Sequence, residues 1–249
     1  MFAVAHALIA SQIVGSEDSL VLLGGIYPDY IWNNRTIRHR RNIHYDPFGF
    51  YQFVQNDYRD MVPFAKGVLL HSDISHGLDW YSDDCKHGYA MLLGKQLIPA
   101  VQKAFFLDPI KAADFSHNFI EAAFDLVVAS DYPQLAQKLI KIKPLIVSFK
   151  IDAILAVFSD SSLRDTRQAI EELSAFYLRK NLQSEKLIIS VCLARIAKSR
   201  FAITDRELIV KLTPILKNAL DLVYPTYQQF LSRTITSMQH DSLLKSYLG

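Results

Sequence analysis

Apolar residues recur at intervals of three and four along nearly the whole chain, with little of the strict alternation that marks a half-buried strand. That period predicts helices throughout and an all-α fold. The first helix is expected over Phe2 to Val14, closed by Gly15. A second, from Glu17, is expected to stop at Gly24-Gly25, where two glycines and Pro28 impose a turn and bias Tyr27 toward extended backbone. Residues 33–46 are polar, basic and irregular, and read as a loop. Helices are predicted over 48–58, 61–75, 86–106 and 109–129, with Tyr81, Asp83 and Asp84 in a loop between them. The last of these starts well, because Asp108 can cap it and Pro109 suits its first position. Beyond Asp131, helical patterns cover 132–142, 145–158, 162–180, 184–199, 205–223 and 226–244, punctuated by Pro133, Pro144, Pro214 and Pro225. The architecture expected is a multi-helix orthogonal bundle, with a helical core over residues 1–130 and a helical extension over 131–249 packed on it, or both as one single domain.

Size and composition narrow the class. A chain of 249 residues, 50% hydrophobic and 21% charged, can bury a substantial core and lies well away from the disordered regime. Its net charge of +2 is too small to imply a nucleic-acid-binding surface. Cys85 and Cys192 lie far apart without a Cys-x-x-Cys spacing, so neither a disulfide framework nor a thiolate zinc site is indicated. The opening stretch is apolar but lacks a basic leader and carries His6 within it, which makes a cytoplasmic location the expectation. No segment reaches the about 18 uncharged apolar residues that would span a bilayer, so any membrane contact would be peripheral.

The histidines change the picture more than the composition does. Seven of the eight fall in the first 117 residues, and they sit among carboxylates. His117, Glu121 and Asp125 follow at four-residue steps along one stripe of a helix whose flanks are apolar. A His and a Glu one turn apart can reach one ion from the same face, and buried carboxylates need partners. A structural ion pair would satisfy the same need. The segment Gly67 to Asp79 brings His71, His76 and Asp79 close in sequence. On a straight helix His71 and His76 would point about 140° apart, so the three converge only if the chain breaks near Gly77. Asp73 is placed to orient a ligating imidazole rather than to bind. Asp29 and His44 are carried on turn and loop, and His6 lies on the apolar first helix, where a buried histidine with one satisfied nitrogen is the alternative. Imidazole and carboxylate are donors that zinc and similar ions take.

Arg35, Arg38, Arg40 and Arg41 form the one concentrated basic run, between Asp29 and His44. Guanidinium groups at the rim of such a site suit phosphate oxygens, and a solvated basic loop is the other reading. The chain has no Gly-x-Gly-x-x-Gly, Walker-type, Gly-x-Ser-x-Gly or His-Glu-x-x-His motif. The back half holds only His240, and the His240-Asp241 pair reads as incidental.

The order of His6, the Gly24-Gly25-Ile-Tyr-Pro28-Asp29 turn, His44, Gly67-Val-Leu-Leu-His71 and His117 with Glu121 resembles the zinc-dependent phospholipase C family over the first half of the chain. A second likeness is to acyl-carrier-protein phosphodiesterases, in which a central Gly-x-x-x-His helix recurs. These resemblances imply phosphoester hydrolysis in an all-α fold. They imply Zn2+ or another divalent metal, more than one ion, held by His6, Asp29, His44, His71, His117 and Glu121, to which the reading of the Gly67–Asp79 segment adds His76 and Asp79 as expected ligands. Asp29, Asp79 and Glu121 would serve catalysis, and Arg38 and Arg41 would bind a phosphoester small molecule or a phospholipid head group. The family places an Asp four residues after its central His, where this chain has Ser75, so Asp79 or Asp73 must substitute or the site is altered. A non-catalytic helical binding or scaffold protein with a degenerate metal site is the alternative.

Overall fold

The computed structural model describes residues 3–32, 43–142, 149–158 and 205–248, with the side chains of 29–32, 149, 152 and 205–209 left out. The described residues are helical and contain no strand. The expected helices over 162–180 and 184–199, the arginine run, Cys192 and the side chain of Asp29 lie outside the described residues. Contacts divide the chain into two compact units, and each draws on residues from both sides of position 130.

One unit comprises Ala3–Trp80, Pro133–Asn181 and Thr234–Gly249. Its centre is a trio of helices, α1 (Ala3–Val14), α2 (Ser19–Trp32) and α4 (Val62–His71), with α3 (Pro47–Asp57) against α4. Ile9, Leu22, Ile26, Phe64 and Val68 are fully buried in it. The expected stop at Gly24-Gly25 does not occur, and α2 runs on through Pro28 to Trp32, with Tyr27 helical. The glycines serve packing instead. A Cβ on Gly24 would fall on the Phe64 carbonyl of α4, and one on Gly25 would stand 3.2 Å from Ala10 Cβ in α1. Gly67 answers from the other side, where a Cβ would stand 2.5 Å from Gly25 N. Small residues here let backbones approach closely, a use of glycine that a turn rule does not register.

The expected helix over 61–75 is also cut. Arg59–Met61 form a 3-10 turn, α4 ends at His71, and Ser72 turns extended. Residues 72–77 fold back on the end of α4. Gly77 N donates to Ser72 O at 2.7 Å, Ser75 Oγ donates to Leu69 O, and His76 sits in left-handed backbone at φ 56°. Only glycine fits at 77, since a Cβ would stand 2.6 Å from His71 C and 2.7 Å from Leu70 C. The chain then enters α5 (Leu78–Asp83), so the loop expected around Tyr81 and Asp83 is a helix as far as Asp83. His44, expected in a loop, lies in helical residues 43–45, and Asp46 caps α3 by accepting from Gly49 N at 2.9 Å.

The other unit comprises Met1–Phe2, Tyr81–Tyr132 and Leu182–Arg233. The expected helix over 86–106 is broken into α6 (Tyr89–Gly94), a 3-10 turn at Lys95–Leu97 and α7 (Ile98–Phe105), with Pro99 in the first turn of α7 where its missing N–H costs nothing. Both pack on α8 (Pro109–Asp131). Asp108 caps α8 as expected, accepting from Lys111 N at 2.9 Å. Phe115, Phe119 and Phe124 of α8 are fully buried. Helix α9 (Pro133–Ile142) and helix α10 (Phe149–Phe158) follow in the first unit, and α11 (Asp205–Val223) packs against α8. The expected helix over 226–244 is two helices, α12 (Tyr227–His240) and α13 (Ser242–Leu248), separated by Asp241, whose Oδ1 accepts from Leu244 N at 2.9 Å.

Candidate metal centres

The fold-back of residues 72–77 places Asp79, at the start of α5, over the end of α4. Three imidazoles from three segments meet its carboxylate. His6 Nε2 of α1 lies 3.2 Å from Oδ1, while His71 Nε2 of α4 lies 3.3 Å and His44 Nε2 3.1 Å from Oδ2. The His6 and His71 rings stack with centroids 3.9 Å apart. His6, His71 and Asp79 are buried, and His44 is 13% exposed at its side chain.

His71 is fixed by its other nitrogen. Nδ1–H donates to Gly25 O at 2.7 Å, which leaves Nε2 as the atom that faces Asp79. A backbone carbonyl on one ring nitrogen is what sets the tautomer of a ligating histidine. The same Gly24-Gly25 and Gly67 contact that brings α2 against α4 brings that carbonyl within reach. His44 has a weaker counterpart, with its Nδ1 3.9 Å from Asp73 Oδ1. Its backbone is tied more firmly, since Ser72 Oγ donates to His44 O at 2.6 Å.

Burial alone would raise the Asp79 carboxyl. The His71 charge, and then hydrogen bonds from His44, His6 and His71, outweigh burial and hold it well below the usual carboxylate range. His6 and His44 can meet the carboxylate as neutral Nε2–H donors, but His71, whose Nδ1–H is given to Gly25 O, can approach it through Nε2 only with a second proton or a cation between them. Ligand atoms bound tetrahedrally at about 2.0–2.1 Å stand about 3.3 Å apart, close to the distances of His6 and His71 Nε2 from the Asp79 oxygens, while the His44–Asp79 approach is that of a hydrogen bond. His6, His71 and Asp79 can each offer one ligand atom, all within 4.8 Å of one another.

A second group has the same property in the other unit. Asp83, His117 and Glu121 bring one ligand atom each within 4.8 Å of the others. His117 and Glu121 stand one turn apart on α8, as their spacing predicts, and Glu121 is buried. Asp83 closes α5, and Ser82 Oγ donates to its Oδ1. Gly94 brings α6 against the His117 backbone, where a Cβ would stand 3.0 Å from His117 N. Asp83 is the residue the sequence reading missed. Nothing local in the sequence pairs it with His117 and Glu121, which lie far along the chain, and its surroundings read as a loop.

The other expected site residues are placed differently. His76 Nδ1 donates to Asp241 Oδ2 at 2.9 Å and its ring lies 4.8 Å from that of Trp80, so it pairs with a carboxylate rather than joining Asp79. Ser75 is buried and donates to the Leu69 and Ser72 carbonyls. Asp29 lies in α2, not on a turn, and its side chain, like Arg38 and Arg41, lies outside the described residues. No protein-family model, curated protein or solved structure matches the chain. No described helix is long and apolar enough to cross a membrane.

Proposed function

We propose that the protein is a metal-dependent hydrolase of phosphoester bonds, with divalent ions, zinc foremost, held by His6, His44, His71 and Asp79 and by Asp83, His117 and Glu121. The observation that carries this reading is the convergence of three imidazole Nε2 atoms on the Asp79 carboxylate, with His71 oriented by Gly25 O. A divalent ion at such a site supplies Lewis acidity toward phosphoryl oxygens and a water nucleophile at neutral pH. The chain's own groups orient and neutralise. Asp79 and Glu121 carry the negative charge that holds the cations, and a carboxylate oxygen left unengaged accepts the proton of the attacking water. Arg38 and Arg41, close in sequence to His44, are assigned to the anionic charge of the substrate, a small phosphoester or a phospholipid head group. The resemblance to zinc-dependent phospholipases C supports the same chemistry, with Asp79 in the role left vacant at Ser75.

The second reading is a structural metal site in a non-catalytic helical protein. Deep burial of His6, His71 and Asp79 favours it, because structural sites are closed and catalytic sites keep a position open. The half-buried Asp83 and His117 favour the hydrolase. One experiment decides between them. Protein purified without chelator is assayed for metal content and for hydrolysis of bis(p-nitrophenyl) phosphate, alongside His71→Ala. The hydrolase reading expects bound metal and turnover, both lowered in the variant. Metal without turnover supports the structural site, and metal-free protein that gains no activity from added Zn2+, Mn2+ or Co2+ sinks the proposal.

A further inference from the structure

The turn that delivers Asp79 is held from a distant part of the sequence. His76 adopts φ 56°, a left-handed conformation that a residue with a Cβ takes at a cost. Its imidazole reaches Asp241, with Nδ1 2.9 Å from Oδ2, and the pair is mostly covered on the aspartate side, at 17% side-chain exposure. Asp241 is the residue that caps α13, through Leu244 N on Oδ1. The far end of the same helix is also held, since Lys66 Nζ donates to Leu248 O at 2.6 Å and Tyr51 OH to Tyr247 O at 2.8 Å. Lys66 belongs to α4, the helix that ends in His71. Helix α13 is therefore fastened at its last turn to the His71-bearing helix and at its cap to the turn between His71 and Asp79.

We propose that His76 and Asp241 are positioning residues for the His6–His44–His71–Asp79 centre, and that α13 acts through them as a strap that fixes the Asp79 turn. The proposal rests on the reading of that cluster as a metal centre. The left-handed His76 is closed in by the turn's own backbone, with Gly77 N donating to Ser72 O at 2.7 Å and His76 N to Asp73 O at 3.1 Å, and the Asp241 contact adds a hold on its side chain from the far end of the chain. Without that contact residues 72–77 keep their bonds to one another, to Leu69 O and to His44 O but lose the hold on the His76 side of the turn, so Asp79 is left less well placed against three imidazoles that come from other segments. The effect reaches the ion through Asp79 and touches neither ion nor substrate directly.

Two variants separate positioning from plain stability. His76→Gly removes the imidazole while making the left-handed backbone easy, so the metal-free protein should lose no melting temperature to backbone strain. Asp241→Ser keeps a hydroxyl that caps α13 but lacks the carboxylate for His76. Asp241→Asn keeps an acceptor for His76 Nδ1 and is the conservative rescue. Zn2+ affinity is measured by competition with a chromogenic chelator, Co2+ absorption reports ligand geometry, and melting temperature is measured in chelator. The expected result is about a tenfold loss of Zn2+ affinity in His76→Gly and Asp241→Ser with an altered Co2+ spectrum, partial recovery in Asp241→Asn, and a change in metal-free melting temperature in His76→Gly too small to account for the lost affinity. Wild-type affinity and spectrum in both variants would overturn the proposal, as would a loss of affinity that only tracks a fall in metal-free stability. A wild-type protein that binds neither ion overturns the metal-centre reading itself, and the proposal with it.

Discussion

Gly67→Ala is expected to destabilise the protein, although the same exchange in an ordinary helix stabilises by about 1 kcal/mol. Gly67 lies one turn before His71 on α4. A Cβ there would stand 2.5 Å from Gly25 N and 2.8 Å from Gly24 C and would overlap the Val21 carbonyl, all backbone atoms of α2. No rotamer relieves a clash with backbone, so restoring ordinary contact means moving α2 away from α4 by about 1 Å. Moving that far stretches the 2.7 Å bond from His71 Nδ1 to Gly25 O beyond hydrogen-bond range. Overpacking costs about 1–3 kcal/mol and a buried bond left open about 1–3 kcal/mol more, against about 1 kcal/mol gained in helix propensity. The expected net loss is about 1–5 kcal/mol. Urea unfolding in chelator, followed by far-ultraviolet circular dichroism, should show a lowered midpoint at unchanged slope. The loosened His71 should also weaken Zn2+ binding. A variant as stable as wild type or more so would refute the account of the glycines as a helix contact.

Ser75→Asp, which sets a carboxylate four residues after His71, should lower stability by at least about 2 kcal/mol and add no metal affinity, because the new charge would be buried against the Leu69 and Ser72 carbonyls. Chemical denaturation and a Zn2+ titration check both halves. Asp83→Asn should reduce the metal content by the share held with His117 and Glu121 while the His6–His71–Asp79 centre keeps its ion, as measured by elemental analysis of the two proteins side by side. Tyr89 gives a test that involves no metal. Burial, opposed by the hydrogen bond with Thr226, pushes its phenol up to about 12 from 10.0. The raised value favours the protonated form in the folded state, so the stability it contributes is complete below pH 10.0 and is lost as the pH rises toward 12. Melting temperatures across that window should fall more steeply for wild type than for Tyr89→Phe.

Local signals in the sequence translate directly. The Asp108 cap, the Pro109 start and the stripe of His117 and Glu121 are all settled within a few turns of one helix, and they stand where the period puts them. What failed to translate depends on residues far away in the chain. Gly24-Gly25 reads as a turn because local rules weigh a glycine's backbone freedom, whereas its use is set by Phe64 and Gly67 on another helix. His76 reads as a ligand beside Asp79, and Asp241 reads as incidental, until the two are seen to bond each other across the length of the chain.

Ser75 shows the same principle at the centre of the site. A carboxylate four residues after a central histidine is the right expectation only while the helix continues, because that step is what keeps two side chains on one face. In this chain the helix ends at His71 itself, and position 75 falls in the fold-back, where a hydroxyl that bonds Leu69 O and Ser72 O stabilises the turn and a carboxylate would oppose it. The turn then returns the chain to the same end of α4 at the opening of α5, and the carboxylate is found there, at Asp79. An acidic residue at 79 and a helix that ends at 71 therefore belong together in this chain. Either alone would leave His71 without a carboxylate partner from this segment.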